Sequence, residues 1–398
     1  MCYTRLTMEA VYIVGATRTP IGKFGGSLAK LSAVELGIVA AKAAIARSGV
    51  SPDVISESLI GHGRQAGCGP NPARQIAVGA GIPHASPAAT INQACASGLR
   101  AVAMAFDTVR LGRGDVILAG GTESMSNTPY LLMRARFGYR LGNGELLDGN
   151  FKDGFFCPLA DQLMGRTAET LAEQYAISRD EQDRYAIESQ NRATAASQRF
   201  AVEICSVPLG DQKRGISAFA TDEHVRGDST IEELSKLKPV FKDYGTVHAG
   251  NSSGITDGAG AMLVMSESAV KKHGAKPMAR IVDYTVVGVD PKIMGIGPVP
   301  AVRLLIEKTK ISLDHIDLIE LNEAFAAQVI ACQRELKFDF AKTNVNGGAI
   351  ALGHPIGCTG ARIVVTLTHE MQRRGSRYGL ATLCISGGMG MAMLLEKP

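Results

Sequence analysis

The chain contains no tryptophan, and aromatic residues make up only 5% of its 398 residues. It has no long block of charge of one sign, since 42 Lys and Arg are set against 38 Asp and Glu, and the formal net charge is +4. This balance argues against a nucleic-acid or membrane-surface partner. A membrane-spanning run is missing too, because glycines at 387, 388 and 390 divide the apolar segment 379–395 into two pieces of strand length. We expect two buried strands there.

The cysteines are isolated from one another, at positions 2, 68, 95, 157, 205, 332, 358 and 384. They include no C-x-x-C pair, and no histidine stands at zinc-ligand spacing. A disulfide framework and a structural metal are therefore not expected, and most of the thiols should be inert and buried. Residues 1–10 contain no apolar signal core, and the chain ends in Glu-Lys-Pro, so we expect a cytosolic location.

An internal repeat sets the predicted architecture. The segment "VSPDVI" at 50–55 recurs as "ISLDHI" at 311–316, and "SGLRAVAMAF" at 97–106 aligns with "TGARIVVTLT" at 359–368. The two offsets, 261 and 262 residues, are nearly equal and preserve the order of the segments. The chain is therefore predicted to contain two copies of a βα unit, with mostly parallel sheets covered by helices and the two halves packed back to back.

The predicted α/β fold has three parts. Residues 1–123 plus 250–275 form the N-terminal half of the core, and residues 276–398 form the C-terminal half. Between them, residues 124–249 differ in character, with a glycine-rich and aromatic start and a predicted pair of helices at 165–200. We interpret this segment as a loop domain that is inserted into the first half and covers a site.

The stretch "NQACASGLR" places a thiol, Cys95, between an apolar strand and a helix. The helix presents one apolar face made of Leu99, Val102, Ala103 and Phe106. At a helix N-terminus the unpaired N–H groups and the dipole favour a thiolate, so we expect a lowered pKa and a nucleophile. A buried structural cysteine is the alternative, and the small neighbouring residues argue for an approachable thiol.

Three further side chains are candidates for the same site. His354, in the glycine-dense segment "NVNGGAIALGHPIGCTGAR", aligns with Asn92 at the repeat offset, so its loop should face the loop of Cys95. Cys384 lies at the end of a predicted strand in the same half and could be a second reactive thiol. Asn322 follows the strand "IDLIEL", where it could hold a water molecule or equally cap a helix.

These residues carry a family resemblance. The motifs "NQACASG", "NEAFA", "GHPIGCTGAR" and "CISGGMG", in this order and spacing, resemble those of the thiolases, the acyl-CoA C-acyltransferases. Further segments such as "AGGTESMS" and "AGNSSGITDGAGA" extend the match over nearly the whole chain. The resemblance implies a duplicated five-layered αβαβα core with an inserted loop domain over the active site, assembled as a homodimer or homotetramer.

The resemblance also implies a role for each candidate. Cys95 would take the acyl group as a thioester, and His354 would assist its deprotonation. Cys384 would remove or return the α-proton of the second acyl-CoA. His354 and a water on Asn322 would polarise that second thioester, and backbone N–H groups at Cys95 and near Ser386 would stabilise the first oxyanion.

Coenzyme A is implied as a substrate and product, with no metal and no resident cofactor. The residues that would contact it are Met164, Arg226, Ser253, Met294, Ala324 and Phe325. Two positions depart from the usual family pattern. Leu163 stands where many thiolases have histidine, and Ser386 stands where the family usually has glycine, which restricts the φ angle of the second oxyanion site.

The expected reaction interconverts two acetyl-CoA with acetoacetyl-CoA and CoA. One alternative is a 3-ketoacyl-CoA thiolase that acts on longer chains in β-oxidation, as part of fatty acid metabolism. Another is an enzyme of the β-ketoacyl synthase type, but this would need a second histidine or a lysine where the chain has Cys384. The third is a thiolase-shaped acyl-CoA or sterol carrier without catalysis, which a Cys95→Ser variant would distinguish.

Overall fold

The computed structural model describes residues 9–211 and 216–398. Cys2 and the rest of the segment 1–8, which belong to the predicted N-terminal half, lie outside the described residues, as does 212–215 of the predicted insertion.

Helices and strands alternate through both ends of the chain. The strands are β1 (Val11–Arg18), β2 (Gly22–Lys23), β3 (Glu57–Gly61), β4 (Ala88–Ile91), β5 (Val116–Ser124), β6 (Tyr130–Leu131), β7 (Leu147–Asp148), β8 (Phe156–Cys157), β9 (Gln162–Leu163), β10 (Val207–Asp211), β11 (Ile216–Phe219), β12 (Thr256–Ser266), β13 (Pro277–Gly288), β14 (Leu318–Leu321), β15 (Tyr378–Ile385) and β16 (Met389–Glu396). The helices are α1 (Ala33–Ser48), α2 (Pro72–Gly79), α3 (Ser97–Arg110), α4 (Met164–Gln174), α5 (Arg179–Ala196), α6 (Ile231–Ser235), α7 (Glu267–His273), α8 (Pro298–Thr309), α9 (Ala326–Leu336), α10 (Ala349–Leu352) and α11 (Ile356–Arg374).

The predicted repeat is confirmed. In the first half α1 leads through a short 3₁₀ turn to β3, and in the second half α8 leads through a similar turn to β14. Likewise α3 is followed by β5, and α11 by β15. The two strands expected at 379–395 are also present, because β15 and β16 pair as a buried antiparallel hairpin.

The central sheet is mixed rather than mostly parallel. Its strand order is β14-β15-β16-β13-β1-β12-β5-β3-β4, and the antiparallel pair β1–β13 joins the two halves. Among the described strands, the parallel pairs of this sheet are β3–β4, β3–β5 and β14–β15. The prediction of mostly parallel sheets is therefore wrong, because the last strand of each half, β12 or β16, returns antiparallel beside the strand before it.

The elements stack in five layers. Helices α3 and α11 lie between the two halves of the sheet and share one apolar cluster with the inner faces of both. Helix α11 is buried along most of its length, as expected for a helix in a central layer. Helices α1 and α2 cover the outer face of the first half, and α8 and α9 cover that of the second. The predicted five-layered αβαβα core is confirmed.

The segment between β5 and β12 contains α4, α5 and several short strands. The stripe of α4 formed by Ala168, Leu171 and Ala172 is buried in the apolar cluster of α8, α9 and β14. The insertion thus packs on the second half through α4, while its later part, with Val207, packs on the first half. No helix among the described residues is long and apolar enough to cross a membrane.

Candidate active site

Cys95 lies in a short 3₁₀ turn directly before α3, where the helix periodicity predicts it. The preceding residue, Ala94, has a φ of +46°, which a residue with a Cβ rarely adopts. Side chains on both sides brace the turn. Asn92 Oδ1 accepts the Ala94 N–H at 3.0 Å, and Ser97 Oγ accepts the Gln93 N–H at 2.9 Å. The thiol is therefore held on a constrained backbone.

The N-termini of α3 and α11 meet with their backbones in direct contact. A Cβ on Gly98 would lie 2.6 Å from the amide nitrogen of Ala361, and a Cβ on Gly360 would overlap the backbone of Leu99. Only glycine permits this approach. As predicted from the repeat, the loop that precedes one helix lies beside the loop that precedes the other.

His354 is buried and positioned as a neutral base. Its Nδ1 lies 2.6 Å from Thr359 Oγ1, whose hydroxyl donates to the Pro355 carbonyl at 3.0 Å. We therefore assign the ring proton to Nδ1, which leaves Nε2 as an acceptor with no hydrogen-bond partner in residues 9–211 and 216–398. Burial, together with the charges of Arg362 and Arg64, lowers the pKa of His354 to about 3.

The prediction that the pKa of Cys95 is lowered is wrong. Burial raises the pKa of the thiol, although the Ser386 backbone N–H and the charge of Arg64 act in the opposite direction. The thiol is only 9% exposed, so its lost hydration outweighs the helix N-terminus. Thiolate formation at Cys95 therefore needs a neighbouring base.

Cys384 lies one residue before the end of β15 and is buried. Its pKa is well above the ordinary value, first because of burial and next because of the nearby Cys95 sulfur. The two thiols thus belong to one site. In the following turn the positive φ angles, 87° and 83°, fall on Gly387 and Gly388 and not on Ser386, so the serine at that position introduces no backbone strain.

Asn322 does not cap a helix. Helix α9 begins at Ala326 with Phe325 at its N-cap position, so the capping interpretation is wrong. The Asn322 side chain is fully buried, and neither its oxygen nor its nitrogen has a hydrogen-bond partner among the described residues. A buried amide in this state indicates a site for water or a ligand.

The predicted coenzyme A contacts fall into two groups. Four of them belong to, or pack against, the apolar cluster that contains Cys384: Met164, Met294, Ala324 and Phe325. Ser253 adjoins this group, because its N–H donates to the Ala324 carbonyl at 3.0 Å. Arg226 stands apart. It is exposed and lines a surface cavity of about 270 Å³ that extends to Gly250, three residues before Ser253.

Sequence reasoning missed the buried carboxylate of Glu123, at the end of β5. Its oxygens accept the N–H groups of Gly357 at 2.8 Å, Gly63 at 3.1 Å and Arg64 at 3.0 Å, and His62 Nε2 lies 3.1 Å away. Burial alone would raise the pKa of Glu123, but the hydrogen bond and charge of His62 outweigh it and lower the pKa. The one available signal was an acidic residue in the otherwise apolar strand "VILAGGTES".

Glu123 connects the two loops of the site. Gly357 lies in the first turn of α11, directly after the loop of His354, and the Gly63 carbonyl accepts a hydrogen bond from Asn92 in the loop of Cys95. No group of three or more His, Cys, Asp and Glu side chains that could hold a metal ion is found in residues 9–211 and 216–398.

Comparison with known proteins agrees with this geometry. The family description "Thiolase, N-terminal domain" matches residues 11–268, and "Thiolase, C-terminal domain" matches residues 275–397. The chain is 48% identical over 392 residues to the acetyl-CoA acetyltransferase of Cupriavidus necator, covering 98% of this chain and 100% of that protein.

Solved structures are similar over the same length. The Bacillus anthracis acetyl-CoA acetyltransferase superposes with a TM-score of 0.96 at 45% identity, over 98% of this chain and 99% of that one. The human mitochondrial 3-ketoacyl-CoA thiolase in complex with CoA gives a TM-score of 0.95 at 43% identity, over 98% of each chain. The chain belongs to the thiolase family.

Proposed function

We propose that the chain is an acetyl-CoA C-acetyltransferase, which interconverts two acetyl-CoA with acetoacetyl-CoA and CoA. One observation supports the proposal: the buried thiols of Cys95 and Cys384 are close enough to interact electrostatically, and His354 Nε2 and the Asn322 amide are buried without hydrogen-bond partners among the described residues. Two thiols and one base are the groups that a two-step acyl exchange requires. The curated relatives at 47–49% identity are named for this reaction.

In the first step Cys95 forms the acyl-enzyme. His354 Nε2 takes the thiol proton, and the sulfur attacks the thioester carbonyl of acetyl-CoA. The backbone N–H groups of Cys95 and Ser386 stabilise the tetrahedral oxyanion. The C–S bond to coenzyme A then breaks, and the departing thiolate takes the proton from His354.

In the second step Cys384 acts as the base. Its thiol proton first passes to His354 Nε2, and the resulting thiolate removes an α-proton from a second acetyl-CoA; a high pKa suits this role because it makes the thiolate a strong base. The carbanion attacks the acyl group on Cys95, whose sulfur leaves and takes the proton from His354. His354 and a water held by Asn322 stabilise the enolate oxygen.

Coenzyme A serves as substrate and product. We propose that the pantetheine follows Met164, Ser253, Met294, Ala324 and Phe325, and that Arg226 meets the phosphates of the nucleotide. The chemistry needs no resident cofactor, because the thioester carbonyl itself acidifies the α-proton.

We further propose the domain limits given by the sequence, 1–123 plus 250–275, 124–249 and 276–398, and assembly as a homodimer or homotetramer. The assembly is supported by a strongly exposed apolar segment of the insertion, in which Phe137 is 94% and Leu141 97% exposed. Exposed apolar patches of this kind mark contacts with other proteins, and a second copy is the simplest partner. A cytosolic location remains a prediction.

A thiolysis assay tests the reaction. Wild type and Cys95→Ser are compared with acetoacetyl-CoA and with a long-chain 3-ketoacyl-CoA, each with free CoA. We expect a strong preference for acetoacetyl-CoA and loss of activity in the variant. A preference for the long substrate would favour the β-oxidation alternative. If wild type and variant both bind acyl-CoA and neither exchanges acyl groups, the carrier alternative holds.

A further inference from the structure

Arg64, in the loop after β3, is a buried cation whose guanidinium has no hydrogen bond or ion pair within the described part of the chain. The residue is 6% exposed, and its Nε has no hydrogen-bond partner among residues 9–211 and 216–398. Its backbone N–H donates to Glu123 and its charge lowers the pKa of that carboxyl, but the carboxylate already accepts three backbone N–H groups and lies 3.1 Å from His62 Nε2. Buried charges in folded proteins are normally paired, because an isolated one carries a large desolvation penalty. An unpaired buried guanidinium therefore indicates a missing anion.

The guanidinium is also held in place. It lies directly against Gly154 of the insertion, where a Cβ would overlap its nitrogens. Any other residue at Gly154 would displace the arginine. The guanidinium is therefore held between Gly154 of the insertion and the loop after β3, which carries Arg64 itself.

Arg64 lines a cavity of about 360 Å³. Thr128 lines it too, and its buried Oγ1 has no hydrogen-bond partner in the part of the chain that the structure describes. The first turn of α1, with Ala33 and Val34, contributes the positive end of a 16-residue helix. The acidic side chain nearest that turn, Glu35, is exposed and occupied in the capping box.

We propose that this cavity binds a small oxyanion, a carboxylate or a phosphate group, on Arg64 and Thr128. The planar guanidinium suits such groups because it can donate two parallel hydrogen bonds. The volume of about 360 Å³ accommodates a group of this size. None of the residues predicted to contact coenzyme A lines the cavity, so the proposed oxyanion site is separate from the proposed coenzyme A site.

The oxyanion could come from two sources. It could be a free ion, or it could be a carboxylate at the far end of an acyl group attached to Cys95. The second source rests on the proposed function. It is compatible with the position of Arg64, whose charge lowers the pKa of both Cys95 and His354 and therefore lies near the reacting groups.

The first arm of the experiment detects free anions. Thermal unfolding of the full chain is measured in increasing sodium phosphate, with sodium chloride at matched ionic strength, for wild type, Arg64→Met and Arg113→Met. Arg113 is an exposed arginine outside the cavity and serves as the matched control. We expect phosphate to raise the midpoint of wild type and Arg113→Met but not of Arg64→Met.

The second arm detects an acyl-borne carboxylate. Thiolysis of 3-oxoadipyl-CoA is compared with that of 3-oxohexanoyl-CoA, which has the same chain length and no charge. If the acyl group supplies the anion, wild type prefers the charged substrate, and Arg64→Met loses that preference by about tenfold or more. Arg64→Lys, which keeps the charge and loses the planar fork, should retain part of it.

Either positive arm supports the site and identifies the source. The proposal is overturned if wild type shows neither a phosphate shift nor the substrate preference, or if Arg64→Met behaves like wild type in both. Because the Arg64 charge also favours the ionised form of Glu123, the midpoint of each variant without anion is measured first, and the phosphate shift is taken relative to that midpoint, with Arg64→Lys as the variant that keeps the charge. A phosphate shift without thiolysis of acetoacetyl-CoA would sustain this site and reject the proposed function.

Discussion

Stability should fall as the pH rises from neutral to alkaline, because of the buried pair His62 and Glu123. His62 is fully buried, and its Nε2 lies 3.1 Å from Glu123 Oε1. Burial alone would lower the pKa of His62. Its interactions with Cys68 and Glu123 outweigh burial and raise the pKa to about 9. The folded protein therefore holds this proton at a pH where the unfolded chain has released it.

The direction and the size of this change in the free energy of unfolding follow from the difference between the pKa of His62 in the folded protein and in the unfolded chain. The ordinary pKa of 6.5 applies to the unfolded chain, so the stabilisation is complete below pH 6.5 and is lost as the pH rises through 9. The difference between the two values corresponds to about 3 kcal/mol. For 398 residues this shifts the unfolding midpoint by about 4 °C.

The assay follows thermal unfolding by far-ultraviolet circular dichroism at pH 6.0 and pH 9.5, since the chain has no tryptophan to report by fluorescence. His62→Gln removes the titrating group, and His84→Gln, an exposed histidine, is the control. Wild type and control should lose about 4 °C more than His62→Gln between the two pH values. Equal losses in wild type and His62→Gln would refute the reasoning.

Three substitutions and one control variant test the site and its packing. Cys95→Ser should lower kcat for acetoacetyl-CoA thiolysis by about a thousandfold or more while CoA binding, measured by calorimetry, persists. Gly121→Ala should lower the free energy of unfolding, measured by urea titration, by about 3 kcal/mol or more, because its Cβ would overlap the Gly357 carbonyl. Gly288→Ala is the control, and it should cost less than about 1 kcal/mol because a Cβ at that position has open space. Ser386→Gly should change kcat by less than about threefold, because the backbone N–H remains and the φ at this position is not positive; a larger loss would assign a role to the hydroxyl.

The sequence predicted the two halves and the facing loops because both are encoded locally. Apolar periodicity defines α3 and α11, and their glycines permit the close crossing of the two helices. Whether a strand runs parallel or antiparallel to its neighbour is not encoded locally in this way. The composition of β12 and β16 is that of any buried strand, and whether such a strand runs parallel or antiparallel depends on connections outside it.

The errors at the site have a common physical origin in tertiary burial. The helix N-terminus at Cys95 is a local feature, but the lost hydration that raises the thiol pKa comes from elements packed around it. Glu123 was missed for the same reason. It accepts a hydrogen bond from Gly357, 234 residues later in the chain, and local patterns do not report such a contact.

Burial acts in opposite directions on the three side chains that we propose to react, and this determines their resting state. It raises the pKa of Cys95 and Cys384 and lowers that of His354, so all three are uncharged before substrate binds. In the proposed mechanism, charge appears when a proton moves from sulfur to Nε2. The Ser386 N–H and the Arg64 guanidinium are then in place to stabilise the anion. The proposed site therefore holds its thiols in the protonated, less nucleophilic form at rest.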